Sequence, residues 1–223
     1  MRLLYTISIL SLLLFCCKNE TKPTIKEETK PLTTAEKIAN NYGFKHFEYI
    51  TEIGFTFNVD RDSSHFERSW IWKPKSNEVT LITTKDTITY NRKSVDSTNV
   101  NADQGFINDK FWLLAPFQLI WDKSATISEV SKENTPISNI ESNKITLTYP
   151  DNGGYTPGDA YDFYFDDNYQ ITEWVFRQGN SNEPSMINTW EDYQNFNGLN
   201  LSLTHKNKEG NFKLYFTNIK VVK

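Results

Sequence analysis

The sequence predicts a mainly β, α+β protein: a single strongly curved antiparallel sheet or half-barrel of about ten strands, an N-terminal helix and a short apolar helical plug. Two observations support this fold class. Short segments that alternate polar and apolar residues recur along most of the chain, separated by turn sequences. By contrast, residues 111–121 are apolar at every position except Gln118, so both faces of this stretch must be buried. At this length the stretch is too short to span a bilayer, which needs about 20 apolar residues.

The first residues, 1–16, are expected to be a lipoprotein signal peptide. Arg2 supplies the positive charge, and residues 3–15 form an apolar run of the length typical of a signal. The end of that run resembles a bacterial lipobox, reading Leu14, Phe15, Cys16, Cys17. Cys17 is the expected acceptor of lipid, palmitate included, because cleavage favours a small residue before it. Two alternatives remain open: an ordinary cleaved signal with unmodified cysteines, and an uncleaved membrane anchor.

Residues 17–32 are expected to form a flexible tether, and residues 33–223 the half-barrel domain. The tether is rich in Lys, Glu and Thr and has too few apolar residues to fold. Both cysteines of the chain lie at the signal, so the domain has no disulfide. The net charge of −4 gives no basic surface for phosphates, which argues against a nucleic-acid partner.

The domain is expected to open with a helix. Thr33 and Glu36 have the spacing of a capping box, in which each side chain bonds a free backbone N–H of the first turn. Apolar residues then recur at helical spacing, and Gly43 is a suitable stop. Packing against a sheet explains this helix without a further function.

Strands follow the helix. Ile53, Phe55, Phe57 and Val59 lie on one face of the first, as expected for a strand with one buried side. The next strand carries Arg68, Trp70 and Trp72 on one face, and residues 78–84 and 87–91 are predicted to return as hairpin partners. Residues 93–103 are predicted to be a polar, irregular connection. Later strands are predicted at 144–149, 160–165, 170–177, 186–193, 199–205 and 211–222.

The apolar plug is predicted to consist of two helical pieces. Asn108 or Asp109 is a suitable N-cap for the first. Ala115 precedes a proline and is pushed away from helix, whereas Pro116 is suited to the first position of a second helix. The joint is therefore expected at Ala115.

The chemistry-bearing residues give no pattern typical of an enzyme, and no metal site or cofactor is predicted. The three histidines are far apart, and neither a Gly-rich phosphate loop nor a nucleophile elbow occurs. Asp162 and Glu173 are the candidates for an acid–base pair, although pairing with Arg177 is the simpler reading. A calcium site is a further alternative, built from Asp151, Asn152, Asp159 and Asp162.

Large aromatic residues are more numerous than one helix packed on one strand face could bury. Their surplus, together with the apolar plug, favours a ligand cavity lined by aromatic rings over a solid core. The predicted lining residues are Trp70, Trp72, Phe111, Trp112, Leu114, Phe117, Trp121 and Trp174. The void is expected between the Trp70/Trp72 strand face and residues 111–121.

Taken together, the lipobox, the N-terminal helix, the antiparallel strands and the apolar insert resemble the lipoprotein-localisation carrier superfamily (LolA/LolB-like). The segments 69–72, 111–121 and 157–174 are similar to uncharacterised Bacteroidetes-type lipoproteins associated with that fold. The resemblance implies a half-barrel closed by helices, with an apolar cavity for acyl chains. It also implies a basic residue facing the lipid, for which Arg68 is the nearest candidate.

The leading hypothesis is therefore a binding protein of the cell envelope. It would be anchored by its N-terminal lipid, as an outer-membrane lipoprotein on either the periplasmic or the surface face, and would hold an acyl chain or a similar apolar ligand, in lipid or lipoprotein handling. The chain is expected to be monomeric. The alternative is a structural or interaction lipoprotein with a solid core and a protein partner. A third hypothesis, an envelope hydrolase, would need Glu173 or Asp162 in a cleft.

Overall fold

The computed structural model describes residues 31–152 and 155–223, of which Leu32–Lys223 form one compact unit. The predicted signal peptide at 1–16, the lipid acceptor Cys17 and nearly all of the predicted tether lie outside the described residues. Within the described ranges, no helix is both long and apolar enough to cross a bilayer.

The first helix, α1, spans Thr34–Asn41 and confirms the predicted capping box. The Thr33 N–H donates to Glu36 Oε2 over 2.7 Å, and the Glu36 N–H donates to Thr33 Oγ1 over 3.2 Å. Gly43 follows the helix with φ of 86°, a left-handed conformation that glycine adopts without strain. A short 3-10 helix, Phe44–Tyr49, comes next.

Thirteen strands make up most of the remainder of the described residues. They are β1 (Glu52–Arg61), β2 (Ser64–Lys73), β3 (Glu78–Ile82), β4 (Thr87–Asn91), β5 (Thr126–Ile127), β6 (Ser131–Asn134), β7 (Glu141–Thr148), β8 (Ala160–Phe165), β9 (Ile171–Arg177), β10 (Met186–Thr189), β11 (Glu191–Phe196), β12 (Leu199–Lys206) and β13 (Phe212–Val222). Every pairing among them is antiparallel, as predicted.

These strands form two sheets, so the prediction of a single sheet of about ten strands is wrong. The first sheet has seven strands in the order β11-β12-β13-β1-β2-β3-β4. The second has six, in the order β10-β9-β8-β7-β5, with β6 also paired to β7. The predicted strand at 186–193 is divided at Trp190: β10 before it pairs with β9 of the second sheet, and β11 after it pairs with β12 of the first. Strands can pass from one sheet into another at a bend, and residues 186–193 contain no glycine or proline that would have marked the division in the sequence.

The apolar stretch belongs to a longer helix, α2, which spans Val100–Trp121. The predicted start at Asn108 or Asp109 is wrong, because the helix begins after the N-cap residue Asn99. Residues 100–103, predicted to be an irregular connection, are its first turn. The cause is that buried polar residues, Asp103 and Asp109 among them, interrupt the apolar pattern on its inner face.

The helix α2 is nevertheless made of two pieces, as predicted. Leu114 has non-helical angles (φ −125°, ψ 21°), so the kink lies one residue before the predicted joint at Ala115. Pro116 explains it: proline has no N–H for the carbonyl of Trp112, and its ring crowds that carbonyl. The residues around the kink are buried, which confirms that the apolar stretch is covered on both faces.

Both sheets pack against α2. Phe106 lies 5.5 Å from the Trp70 ring of the first sheet, and Trp112 lies 4.5 Å from the Trp174 ring of the second, centroid to centroid. The helix therefore lies between the two sheets and occupies part of the space that they enclose.

Candidate functional site

A cavity of about 1230 Å³, partly open to solvent, lies beside α2. Its volume exceeds the roughly 300–1,000 Å³ typical of small-molecule sites. Both sheets and α2 contribute apolar side chains to its wall: Phe57, Val59, Phe212 and Leu214 from the first sheet, Tyr161, Trp174, Phe176 and Met186 from the second, and Ile107, Phe111 and Trp112 from α2.

Three of the predicted lining residues, Phe111, Trp112 and Trp174, line this cavity. Their rings form one continuous aromatic cluster with Tyr161 and Phe176. Tyr161 stacks on Trp174 at 5.4 Å and on Phe176 at 5.1 Å, and Phe111 lies 4.6 Å from Tyr161. The strand register places the Tyr161 and Phe176 side chains directly opposite each other on β8 and β9. Rings held by such contacts give the cavity a preformed apolar wall.

The other five predicted residues do not line the cavity and belong to the packed core or lie against it: Trp70, Trp72, Leu114, Phe117 and Trp121. The gap expected between the Trp70/Trp72 face and the apolar stretch is filled. Phe106 lies 5.6 Å from Trp72, and Phe47 lies 4.8 Å from Trp121. Phe47 comes from the 3-10 helix, whose short, irregular apolar pattern gave no sign that it would reach this point.

Arg68, predicted as the polar contact for a ligand, is held by a carboxylate instead. Its Nε lies 2.6 Å from Asp109 Oδ2 and its Nη2 lies 2.7 Å from Asp109 Oδ1. The Trp70 indole N–H also donates to Asp109, over 2.8 Å. Arg68 is not among the cavity-lining residues, and its bonds join β2 to α2.

The polar group that sequence reasoning missed is Lys110 of α2. It lines the cavity but is only 6% exposed. Its ammonium lies 5.4 Å from the Trp121 ring, 5.5 Å from Trp72 and 5.9 Å from Phe106. Burial, and secondarily the charge of Arg92, lower the pKa of Lys110 to about 8. A helix starting at Val100 places Phe106 and Lys110 four residues apart on one face, which the predicted later start concealed.

The charged groups near Lys110 are already paired. Arg92 donates to Asp103 over 2.7 Å, and the Tyr155 hydroxyl donates to the same carboxylate over 2.9 Å. Asp122 accepts a short hydrogen bond from Tyr149. The Gln118 amide satisfies both of its neighbours when its oxygen and nitrogen are exchanged. In that orientation its nitrogen donates to Asp122 over 3.1 Å, and its oxygen accepts from the Lys110 ammonium over 3.3 Å.

The candidate catalytic carboxylates each have a structural partner. Asp162 accepts from Arg177 Nε over 2.9 Å and from the Thr146 hydroxyl over 2.6 Å. Glu173 accepts the backbone N–H groups of Ile137 and Ser138, at 2.7 and 2.9 Å. Neither residue lines the cavity.

The residues of the calcium alternative are also partly engaged. Asp159 accepts the Gly179 N–H over 2.8 Å, and Asp162 is paired with Arg177. Over the described residues, no group of three or more acidic, His or Cys side chains converges in a way that could hold a metal ion.

Comparison with solved structures identifies the fold. No protein-family model matches the chain, and no curated protein matches it significantly. A LolA superfamily protein from Nitrosomonas europaea superposes with a TM-score of 0.50 at 12% identity, covering 86% of this chain and 95% of that one. The chain has a LolA-like fold.

Two further structures are similar, each at 9% identity and a TM-score of 0.46. One is a DUF1329 family protein from Desulfovibrio piger, covering 84% of this chain and 91% of that one. The other is an outer-membrane lipoprotein-sorting protein domain from Vibrio parahaemolyticus, covering 84% and 93%. Within its LolA-like fold, this chain has an aromatic-rich interior that borders a cavity.

Proposed function

We propose that the protein is a lipid-anchored component of the cell envelope that binds an acyl chain or a similar apolar ligand in its cavity. The observation that carries this proposal is the aromatic wall formed by Phe111, Tyr161, Trp174 and Phe176 around a volume of about 1230 Å³. Removal of apolar surface from water would drive binding. The LolA-like fold supports the proposal by analogy only, since one fold hosts many functions.

The test is to identify what the purified protein carries and what it takes up. A Cys17→Ser form, expected to be free of the lipid anchor, would be examined by native mass spectrometry and solvent extraction, and then titrated with a fluorescent fatty acid. We expect a co-purifying acyl lipid and saturable uptake of the probe with one site. A protein with no bound lipid and no response to the probe would overturn the proposal.

The anchor is proposed to be the lipid on Cys17, placing the protein at the outer membrane. Cys17→Ser should abolish incorporation of a palmitate analogue and release the protein from the membrane fraction. The matched control is Cys16→Ser, which should leave both unchanged. Equal labelling of all three forms would show that the anchor lies elsewhere.

We further infer that the protein acts by binding, as a monomer, without catalysis of its own. Supporting this, Asp162 and Glu173 are committed to Arg177 and to backbone N–H groups, away from the cavity. Hydrolysis of envelope lipids by the purified protein, lost on changing either carboxylate in a folded variant, would overturn the inference. Light scattering tests the monomer.

A further inference from the structure

We propose that the ligand carries an acidic head group, a carboxylate or a phosphate, which pairs with Lys110. The cavity would then select anionic amphiphiles over neutral lipids of equal length. This inference rests on the proposed function, because it names the chemical class of the ligand bound in the same cavity.

The first step of the argument is the position of Lys110. It is a cavity-lining cation on α2 that is almost fully buried, with three aromatic rings within 5.9 Å of its ammonium. Buried charges are normally paired, because removal from water costs much more than one weak contact returns. Among the described residues, however, no carboxylate lies within 4.0 Å of its Nζ.

The second step is that the nearby carboxylates are occupied. Asp103 holds Arg92 and Tyr155, whereas Asp122 holds Tyr149. The contact available to Lys110 is the neutral Gln118 oxygen at 3.3 Å. An ammonium has three donors, so at least one remains for a ligand.

The third step is the chemistry of the surroundings. An anion entering the cavity would supply the charge that Lys110 lacks, while the aromatic wall covers the acyl chain. The lowered pKa of Lys110 agrees with this arrangement, since burial and the charge of Arg92 outweigh the partial compensation by Asp122 and Asp103. A charge-assisted hydrogen bond in such a setting is among the stronger polar contacts in proteins.

Two other cations, Arg61 and Arg92, line the cavity and must be distinguished from Lys110. Arg92 is already paired with Asp103 over 2.7 Å. Arg61 is solvent-exposed, and its guanidinium lies 5.4 Å from the Phe212 ring. An exposed cation is well hydrated and gains little from pairing, so Lys110 is the stronger partner for a head group. The Arg61→Met variant therefore serves as an internal comparison.

The experiment compares ligands that share a chain and differ in the head group. The delipidated Cys17→Ser protein would be titrated at neutral pH with hexadecanoic acid, hexadecyl phosphate and hexadecanol. The same titrations would follow for Lys110→Met, Arg61→Met and Lys123→Met, the last being an exposed lysine near the end of α2. We expect the two acids to bind at least about tenfold more tightly than the alcohol, as one charge-assisted bond would provide.

Lys110→Met should abolish the difference in affinity between the acids and the alcohol, whereas Lys123→Met should leave that difference as it is in the parent protein. If the acids and the alcohol bind equally, or if Arg61→Met removes the preference instead, the proposal that Lys110 pairs with the head group is wrong. The proposed binding of an apolar ligand in the cavity is not affected by that result. If none of the three ligands binds the Cys17→Ser protein, the proposed function itself fails.

Discussion

Arg68 and Asp109 form a bidentate ion pair, with two N–O distances of 2.6 and 2.7 Å, that joins the second strand of the first sheet to the long helix. The Asp109 side chain is fully buried, and Arg68 is 23% exposed. The pair therefore has a structural role, in which a charged contact fixes how the helix lies on the sheet.

The first prediction concerns the stability of that pair. Arg68→Met leaves a buried carboxylate without its cation and should lower the free energy of unfolding by about 3–5 kcal/mol. The double variant Arg68→Met, Asp109→Leu should recover much of the loss, because no buried charge is then unpaired. Urea denaturation measures both.

The control for this prediction is Lys73→Met, which breaks the exposed pair with Glu78 and should leave the free energy of unfolding nearly unchanged. A loss of similar size in Arg68→Met and Lys73→Met would contradict the structural role of the Arg68–Asp109 pair.

The second prediction concerns Lys110 and pH. The pKa of Lys110 falls from 10.5 to about 8 in the folded protein, so between these values the unfolded chain holds a proton that the folded chain has lost. Stability should therefore rise with pH through this window. Below about pH 8, the buried charge of Lys110 lowers the free energy of unfolding by roughly 2–4 kcal/mol, since each pKa unit corresponds to about 1.36 kcal/mol.

Lys110→Met should thus stabilise the protein at neutral pH by that amount and hardly at all near pH 10.5. Thermal unfolding across this pH range measures the difference, with Lys123→Met as the surface control. A destabilised Lys110→Met at neutral pH would show that the ammonium has a stabilising partner.

The third prediction concerns His205, which is completely buried on β12. Burial lowers its pKa from 6.5 to about 3, although its Nδ1 lies 3.1 Å from the Thr189 carbonyl oxygen. Because the folded pKa is depressed, the neutral ring is favourable above pH 6.5, and stability should be lost as pH falls through 6.5 towards 3.

Replacing this ring with glutamine should flatten the acid side of the stability curve relative to the parent protein. The comparison is made as a difference between the two proteins, since carboxylates titrate in the same range. If the plots of stability against pH were parallel for His205→Gln and the parent protein, the pKa of His205 would be the same in the folded and the unfolded chain, which would contradict the prediction.

The fourth prediction separates the cavity from the core. Phe117→Ala removes a buried ring from the packed region around Trp121 and should cost about 3–5 kcal/mol of stability, with little effect on ligand affinity. Phe111→Ala removes a partly buried ring from the cavity wall and should weaken binding of a fluorescent fatty acid about tenfold. Denaturation and titration of both variants give the comparison. The reverse pattern would place the ligand in the region of Trp70 and Trp72.

Much of the fold was readable from the sequence because local rules determine it. The capping box at Thr33, the left-handed Gly43 and the kink caused by Pro116 each depend on neighbouring residues alone. The start of α2 was not readable, because Asp103 and Asp109 are buried by ion pairs with distant arginines. Such pairs make polar residues behave like core residues, and no local pattern marks them.

The candidate site was readable only in part. An excess of aromatic residues indicated a cavity, but the same residue types line it and fill the core beside it. Phe111 and Trp174 differ from Phe117 and Trp72 in the elements that face them, which is a property of the tertiary arrangement. Lys110 was missed for the same reason, since a lysine within a helix is usually at the surface.

The position of Trp190 between β10 and β11 determines how the two sheets are held together. The backbone passes through this residue from β10, an edge strand of the second sheet, directly into β11, an edge strand of the first. The two sheets are therefore covalently joined along these edges. Separating the two sheets at these edges would break the backbone hydrogen bonds of β10 with β9 or of β11 with β12. The opposite edges of the two sheets, β4 and β5, are instead separated along the chain by the whole of α2.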